Sequence, residues 1–320
     1  MKKPIQRKTK LISIVIPFYN EEENVNELYK QLKRVLSTEK KYHFEIIAVE
    51  HGSEDSTFQK LLNLNKKDKM VKIIQLSKNF GTADAGIAAG LNYATGQAVI
   101  ITMADLQEPP EVIIKFIRKW EEGYEIVYGV INKRADFSYL RRVCSVIYYK
   151  ILNKLTDNIF PKNVSDFRLI DKKVCETINQ MEERNKFLRG MIIWTGFKQI
   201  GVPFNRLPRH SGESKANFST ALKVAANGIF SFSYLPLKLV TILGFIVSLL
   251  SLAMIVVQLI LFIHFGRVAP GQTTIVLLIS FFFGILFLIL GIISEYLARI
   301  YDEVKQRPAF IVKKTIGIKE

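Results

Sequence analysis

Residues 239–265 and 268–294 form two runs of 27 residues each that contain no Asp, Glu, Lys or Arg. About 20 consecutive apolar residues cross the hydrocarbon core of a bilayer, so each run is long enough to span it; the second is densest over 274–293. A helix of a soluble protein keeps a polar stripe for solvent, and neither run has one. Two transmembrane helices are predicted, at about 239–265 and 273–294, leaving both chain ends on one side.

Charge decides which side. The connection 266–272 carries one basic residue, Arg267, whereas Lys223 and Lys238 precede the first run. Arg299, Lys305, Arg307, Lys313, Lys314 and Lys319 follow the second. Basic residues accumulate on the cytoplasmic side, which places the N-terminal body and a basic tail over 295–320 in the cytoplasm, at the inner membrane. The start of the chain imitates a signal peptide, with a basic stretch over 1–10 and an apolar one over 11–19. The apolar stretch is short, lacks a small-residue cleavage site and runs into Asn20, Glu21, Glu22 and Glu23. It reads as a basic tail entering a buried strand.

Lys and Arg outnumber Asp and Glu by 45 to 29, a formal charge of +16, and 49% of residues are hydrophobic. That much apolar surface excludes a disordered chain. Cys144 and Cys175 form no CxxC pair, which excludes a disulfide scaffold. The charge admits anionic lipid, a phosphorylated ligand or nucleic acid as partner; nucleic acid falls because the basic residues flank membrane segments and no recognition motif is present.

Within 11–218, short β-rich runs (12–17, 44–49, 72–76, 98–103, 125–128) alternate with helical stretches (22–36, 56–65, 82–94, 110–122). Repeated βαβ units predict an α/β fold with a doubly wound, mainly parallel sheet. Ligands bind beyond the carboxyl ends of such strands, which singles out four polar clusters: 17–21, 50–56, 77–81 and 104–110. No GxGxxG follows the first strand and no GxxxxGK[ST] occurs, so neither the dinucleotide nor the P-loop reading stands. Residues 131–237 are less regular and strongly basic. In 139–155, Val143, Val146, Ile147, Ile151 and Leu155 share one face among Arg141, Arg142, Lys150 and Lys154, the pattern of a helix lying in the membrane interface. A second such helix is expected over 219–238.

Seven motifs occur in order: IVIPFYNEEEN from Ile14, V-x-x-G-S-x-D-S from Val49, LSKNFG from Leu76, ADLQEPPE from Ala104, SDFRLIDKKV from Ser165, ERNKFLRG from Glu183 and RHSGESK from Arg209. Together with the C-terminal helix pair, they resemble the family 2 glycosyltransferases that act on polyprenyl phosphates, the bactoprenol glucosyltransferases and dolichol-phosphate-mannose synthase relatives. The resemblance implies a GT-A fold and inverting transfer of a sugar from a nucleotide-diphosphate donor, UDP-glucose or UDP-N-acetylglucosamine first, to undecaprenyl phosphate. It also implies a divalent cation, Mg2+ or Mn2+, on Asp105 and Gln107. Pro17, Tyr19, Glu21, Glu50 and Lys78 match the positions that enclose the nucleotide. Arg134, Arg141, Arg168, Arg209, Ser214 and Lys215 are the expected phosphate-holding set, with Asp105, Arg134, Arg209 and Lys215 closest to the chemistry.

A phosphate monoester is largely a dianion at neutral pH, so the acceptor attacks without a protein base and the site needs cations instead. Two positions depart from the family pattern. Glu50-His51 stands where Asp-Asp is usual, and Met103 stands where the first Asp of Asp-Ala-Asp is usual, removing a hard-cation ligand. These departures keep a second reading open, a catalytically silent relative that binds nucleotide sugar or lipid phosphate. Gly244, Gly284 and Gly291 in the helix pair offer close-packing positions for a homo-oligomer.

Overall fold

The computed structural model describes residues 10–134, 163–184, 186–209, 235–265 and 271–318. The interfacial helix expected over 139–155, almost all of that expected over 219–238, and residues 1–9 lie outside these. So do Arg141, Ser214 and Lys215.

The chain divides into two compact units, Met1–Gly228 with Pro308–Glu320, and Ile229–Arg307. The first is an α/β sheet domain. Its elements run β1 (Lys10–Phe18), α1 (Val25–Leu36), β2 (Tyr42–Glu50), α2 (Thr57–Lys67), β3 (Val71–Leu76), α3 (Ala83–Tyr93), β4 (Ala98–Ile101), α4 (Val112–Glu121) and β5 (Ile126–Arg134). They continue with β6 (Val164–Asp171), α5 (Lys172–Gln180), α6 (Leu188–Trp194), β7 (Gln199–Arg206) and, after the second unit, β8 (Val312–Ile316). The sheet order is β7-β5-β6-β4-β1-β2-β3-β8. Strands β4, β1, β2 and β3 are mutually parallel, as are β5 and β7, while β6 lies antiparallel between β4 and β5 and β8 antiparallel on β3.

The central strands read as unbroken apolar runs because both faces are covered; Ile12, Ile14, Val15 and Ile16 of β1 are at most 1% exposed. In α1 the spacing of Val25, Leu28, Leu32 and Val35 buries one face, with Lys30 and Arg34 outside. Helix α3 differs. It is built of Ala and Gly, and a Cβ on Gly90 would stand 2.3 Å from Val15 Cγ1, so a larger residue there would push the helix off the sheet. Helix α4 packs onto the inserted strand through Phe116 and Phe167, ring centres 4.7 Å apart and planes tilted by 51°.

The second unit consists of α7 (Leu235–Phe265) and α8 (Gln272–Lys305). Both are long and apolar enough to cross a membrane. Phe245 and Ile263 are 70% exposed and Phe287 67%, surfaces that hydrocarbon would cover and water would oppose. Two expectations need correcting. The 295–320 segment is not simply a tail: α8 continues to Lys305, and residues after it rejoin the sheet as β8, with Ile73 opposite Ile316 and Leu76 opposite Val312. The stretch after 131 also holds regular structure, β6, α5, α6 and β7, which its mixed polar composition concealed.

Candidate functional site

The loops after the parallel strands meet along one edge of the sheet. After β1, Asn20 adopts a left-handed conformation (φ 49°) and clasps the next loop. Its N–H donates to Ser53 Oγ (3.0 Å), its Oδ1 accepts from Glu54 N–H (2.8 Å), and Glu21 N–H donates to Thr57 Oγ1 (2.9 Å). Glu50, at the end of β2, is 2% exposed and turns its carboxylate onto the Ser53 N–H. Pro17 is buried beneath this clasp, and Tyr19 is half-buried beside it.

The third loop lies against the second. Gly52 (φ +75°) brings its backbone so near that a Cβ would stand 2.5 Å from Asn79 N. His51, 3% exposed, donates its own N–H to the Phe18 carbonyl (2.9 Å) and accepts the Phe80 N–H on Nε2 (3.1 Å). Its ring stacks on Phe80 at 17° between planes. Lys78 is exposed, with Nζ 5.3 Å from the centre of the Phe80 ring.

Three charged side chains, Arg206, Arg209 and Glu21, gather at Asp105, which is 7% exposed. Arg209 Nη2 lies 3.5 Å and Arg206 Nη2 3.9 Å from Asp105 Oδ2, and Arg209 Nη2 also lies 3.7 Å from Glu21 Oε1. Asp105 Oδ1 accepts from the Gln107 N–H at 3.2 Å. Gln107 is zipped to the chain leaving β7: Leu207 N–H donates to its carbonyl (2.9 Å) and its Nε2 donates to the Leu207 carbonyl (3.4 Å). Arg134 ends β5 at the register position opposite Arg206.

Behind this group lies a second layer. Glu108, 3% exposed, accepts from the Ser165 and Thr102 hydroxyls and the Met103 N–H. Burial pushes its carboxyl up to about 7, against the opposing Ser165 hydrogen bond. Asp166 is gripped by Arg189, Nε to Oδ1 at 2.9 Å and Nη2 to Oδ2 at 2.6 Å, the fork geometry that favours a carboxylate. Its surroundings would raise its carboxyl, but the Arg189 charge outweighs them and holds it at about 2. The Asp166 side chain nevertheless keeps 39% of its surface accessible. Asp84, at the start of α3, faces the same pair, and burial followed by the Asp166 charge pushes it up to about 7.

Sequence reasoning anticipated Glu21, Asp105, Gln107 and Arg209, and these come together. Arg168 departs from its expected place at a phosphate. It is 2% exposed within β6, donates to the Ser165 and Asp166 carbonyls, and burial lowers its guanidinium to about 10; it is a cation of the interior. Arg206, Glu108, Asp166 and Arg189 were not singled out; for Arg206 the spacing to Arg209 was the available signal. The side chain of Arg134 lies outside the described residues.

Among the described residues no three His, Cys, Asp or Glu side chains gather to hold a metal. The donor set still fits a hard divalent cation that keeps phosphate and water ligands. Asp105 offers a carboxylate whose ion pairs, at 3.5 and 3.9 Å, are loose, and the Gln107 side-chain amide adds a second oxygen. Met103 adds none.

The model of the family described as glycosyl transferase family 2 matches residues 13–178. The chain is 42% identical to an uncharacterized glycosyltransferase of Synechocystis over 96% of each chain. It is 36% identical to a prophage-derived bactoprenol glucosyl transferase of Shigella flexneri over 95% of this chain and 98% of the relative. Glucosyl-3-phosphoglycerate synthase from Mycobacterium tuberculosis superposes with a TM-score of 0.50 at 13% identity, over 70% of this chain and 80% of that one, a likeness of fold alone.

Proposed function

The chain belongs to glycosyl transferase family 2, and from that premise we propose that it transfers a sugar with inversion from a nucleotide-diphosphate sugar to a polyprenyl phosphate. UDP-glucose and UDP-N-acetylglucosamine are the proposed donors, undecaprenyl phosphate the acceptor, and the cytoplasmic membrane face the place. The observation that carries the reading is the meeting of Asp105 and Glu21 with Arg206 and Arg209 at the strand ends. The relative named a bactoprenol glucosyl transferase supports the acceptor.

In the reaction, an oxygen of the acceptor phosphate attacks the anomeric carbon as the bond to the donor diphosphate breaks, and the nucleoside diphosphate leaves with that electron pair. Asp105 and the Gln107 amide oxygen would hold a divalent cation, which when bound neutralises charge on the leaving diphosphate. Arg209 and Arg206, with Arg134, Arg141, Ser214 and Lys215, are proposed to hold the phosphates. Glu21, with Pro17, Tyr19, Glu50 and Lys78, is proposed to border the nucleotide. What supports the membrane orientation is connectivity as well as charge. The chain leaves one sheet before α7 and rejoins it as β8 after α8, so the crossings between must be even in number.

The test is transfer of radiolabelled sugar from a panel of nucleotide sugars to undecaprenyl phosphate, with Mg2+, with Mn2+ and with chelator. One donor yields labelled lipid, chelator abolishes it, and Asp105→Asn lowers it at least about a hundredfold, the scale of losing one preorganised electrostatic element, while membrane insertion persists. Nucleotide binding with no product from any donor would instead establish the silent relative.

A further inference from the structure

We propose that His51 is a positioning residue for the donor, a neutral imidazole that pins the Lys78–Phe80 loop against the Glu50 loop and frees it on protonation. The inference rests on the reading above that these two loops border the nucleotide. An N–H can only donate, so the Phe80 N–H on His51 Nε2 requires that nitrogen to be unprotonated and the ring proton to sit on Nδ1. An imidazolium has no acceptor left and must release Phe80. The imidazole is also stacked on Phe80, and its backbone is fixed to β1 through the Phe18 carbonyl. Its Nδ1 edge lies toward Gly86 of α3, where a Cβ would stand 3.5 Å away. The whole contact therefore bears on one loop. At its other end, that loop is held by Ser77 N–H on the Ile311 carbonyl (2.9 Å), so His51 supplies the fastening at the tip.

No charge near His51 overrides this logic. From its own loop, Glu50 is turned to the Ser53 N–H, and Asp55 accepts from the Glu22 and Thr57 N–H groups. Glu54 is exposed. From the facing loop, Lys78 lies by the Phe80 ring. From α3, Asp84 is engaged with the Asp166, Arg189 and Arg168 group. Burial alone lowers the imidazole below its ordinary value, so the fastening is closed at neutral pH and opens in acid.

The experiment uses full-length protein in detergent, with His51→Gln, whose amide oxygen can accept without titrating, and His51→Leu, which cannot accept. Hydrogen-exchange protection at the Phe80 amide, normalised for intrinsic rates, is followed from about pH 7.5 to 5 without ligand. UDP affinity is followed by calorimetry over the same range, and the donor KM and kcat at neutral pH. Wild-type protection falls in acid, His51→Gln stays flat, and His51→Leu is low throughout. UDP affinity falls about fivefold in acid for wild type, the worth of one net hydrogen bond. His51→Leu raises the donor KM with little change in kcat. Equal Phe80 protection in His51→Leu and wild type overturns the proposal, and so does protection that follows pH while UDP affinity does not. Failure of wild type to bind UDP at any pH counts against the donor reading itself, while protection still decides the fastening.

Discussion

Ending the chain at Arg307 removes β8, and the structure sets what that costs. Four register pairs join β8 to β3, Ile73 with Ile316, Ile74 with Thr315, Gln75 with Lys314 and Leu76 with Val312. Ser77 N–H on the Ile311 carbonyl adds a fifth tie. Antiparallel pairs alternate between two hydrogen bonds and none, so the four pairs average about one each; with the Ser77 tie, at about 1 kcal/mol net per bond, the contribution is about 5 kcal/mol. Half-burial of Val312 and Ile316 adds about 2 kcal/mol, and Lys313 and Lys314, both exposed, add nothing. Ordering five residues of backbone takes back about 5 kcal/mol, leaving about 2 kcal/mol in favour of the strand. The truncated protein should unfold with that loss in denaturant, lose amide protection at Ser77, and bind nucleotide more weakly because the Lys78 loop starts there. Gly317→Ala is the milder version: its backbone lies at φ +75°, and the new Cβ would stand 2.9 Å from Asn65 Nδ2, which donates to the Val71 carbonyl. Unchanged stability and unchanged Ser77 protection after truncation would refute the pairing of β8 with β3.

Two more predictions address packing and the inner layer of the site. Gly90→Ala gains about 1 kcal/mol of helix propensity but drives a methyl into Val15, where overpacking costs about 1–3 kcal/mol; thermal unfolding should show net destabilisation. Asp166→Asn and Arg189→Met should be strongly non-additive in unfolding free energy, by about 1–3 kcal/mol, because the two side chains share a two-pronged hydrogen-bonded contact; additive effects would dissolve the pair.

The first half of the sheet was legible because each strand is a largely apolar run bounded by polar turn residues, and helices α1, α2 and α4 each carry an amphipathic period. Strands β1 to β4 and helices α1 to α4 fall within a few residues of expectation. The two long helices were legible for a similar reason, since each is an apolar run without charge over most of its length. Arg168 was misjudged because a basic residue within the SDFRLIDKKV motif suggests a phosphate ligand. Only the sheet order reveals that it lies between β4 and β5, opposite Ile101 and Tyr128, with its charge satisfied by Asp166 and backbone carbonyls.

The misses on the reversed strands share a geometric cause. Looking beyond the carboxyl ends of strands suits parallel strands, and it picked out Glu21, Glu50, Lys78 and Asp105, which lie in or just before the loops that follow β1, β2, β3 and β4. An antiparallel strand inserted in the same sheet reverses that relation, so its first residues reach that same edge. Strand β6 runs antiparallel to β4, which brings Ser165 and Asp166, near its start, beside Glu108 and Arg189. Strand β8 runs antiparallel to β3, so Ile311, just before it, meets Ser77 at the same edge. Nothing in local composition marks these strands as reversed: β6 is as apolar on alternate positions as its neighbours, and β8 is five residues long within basic sequence. Direction is fixed only by where the connecting chain returns. Once the order of the sheet is known, the start of each reversed strand carries the same claim to the site as the end of each parallel one.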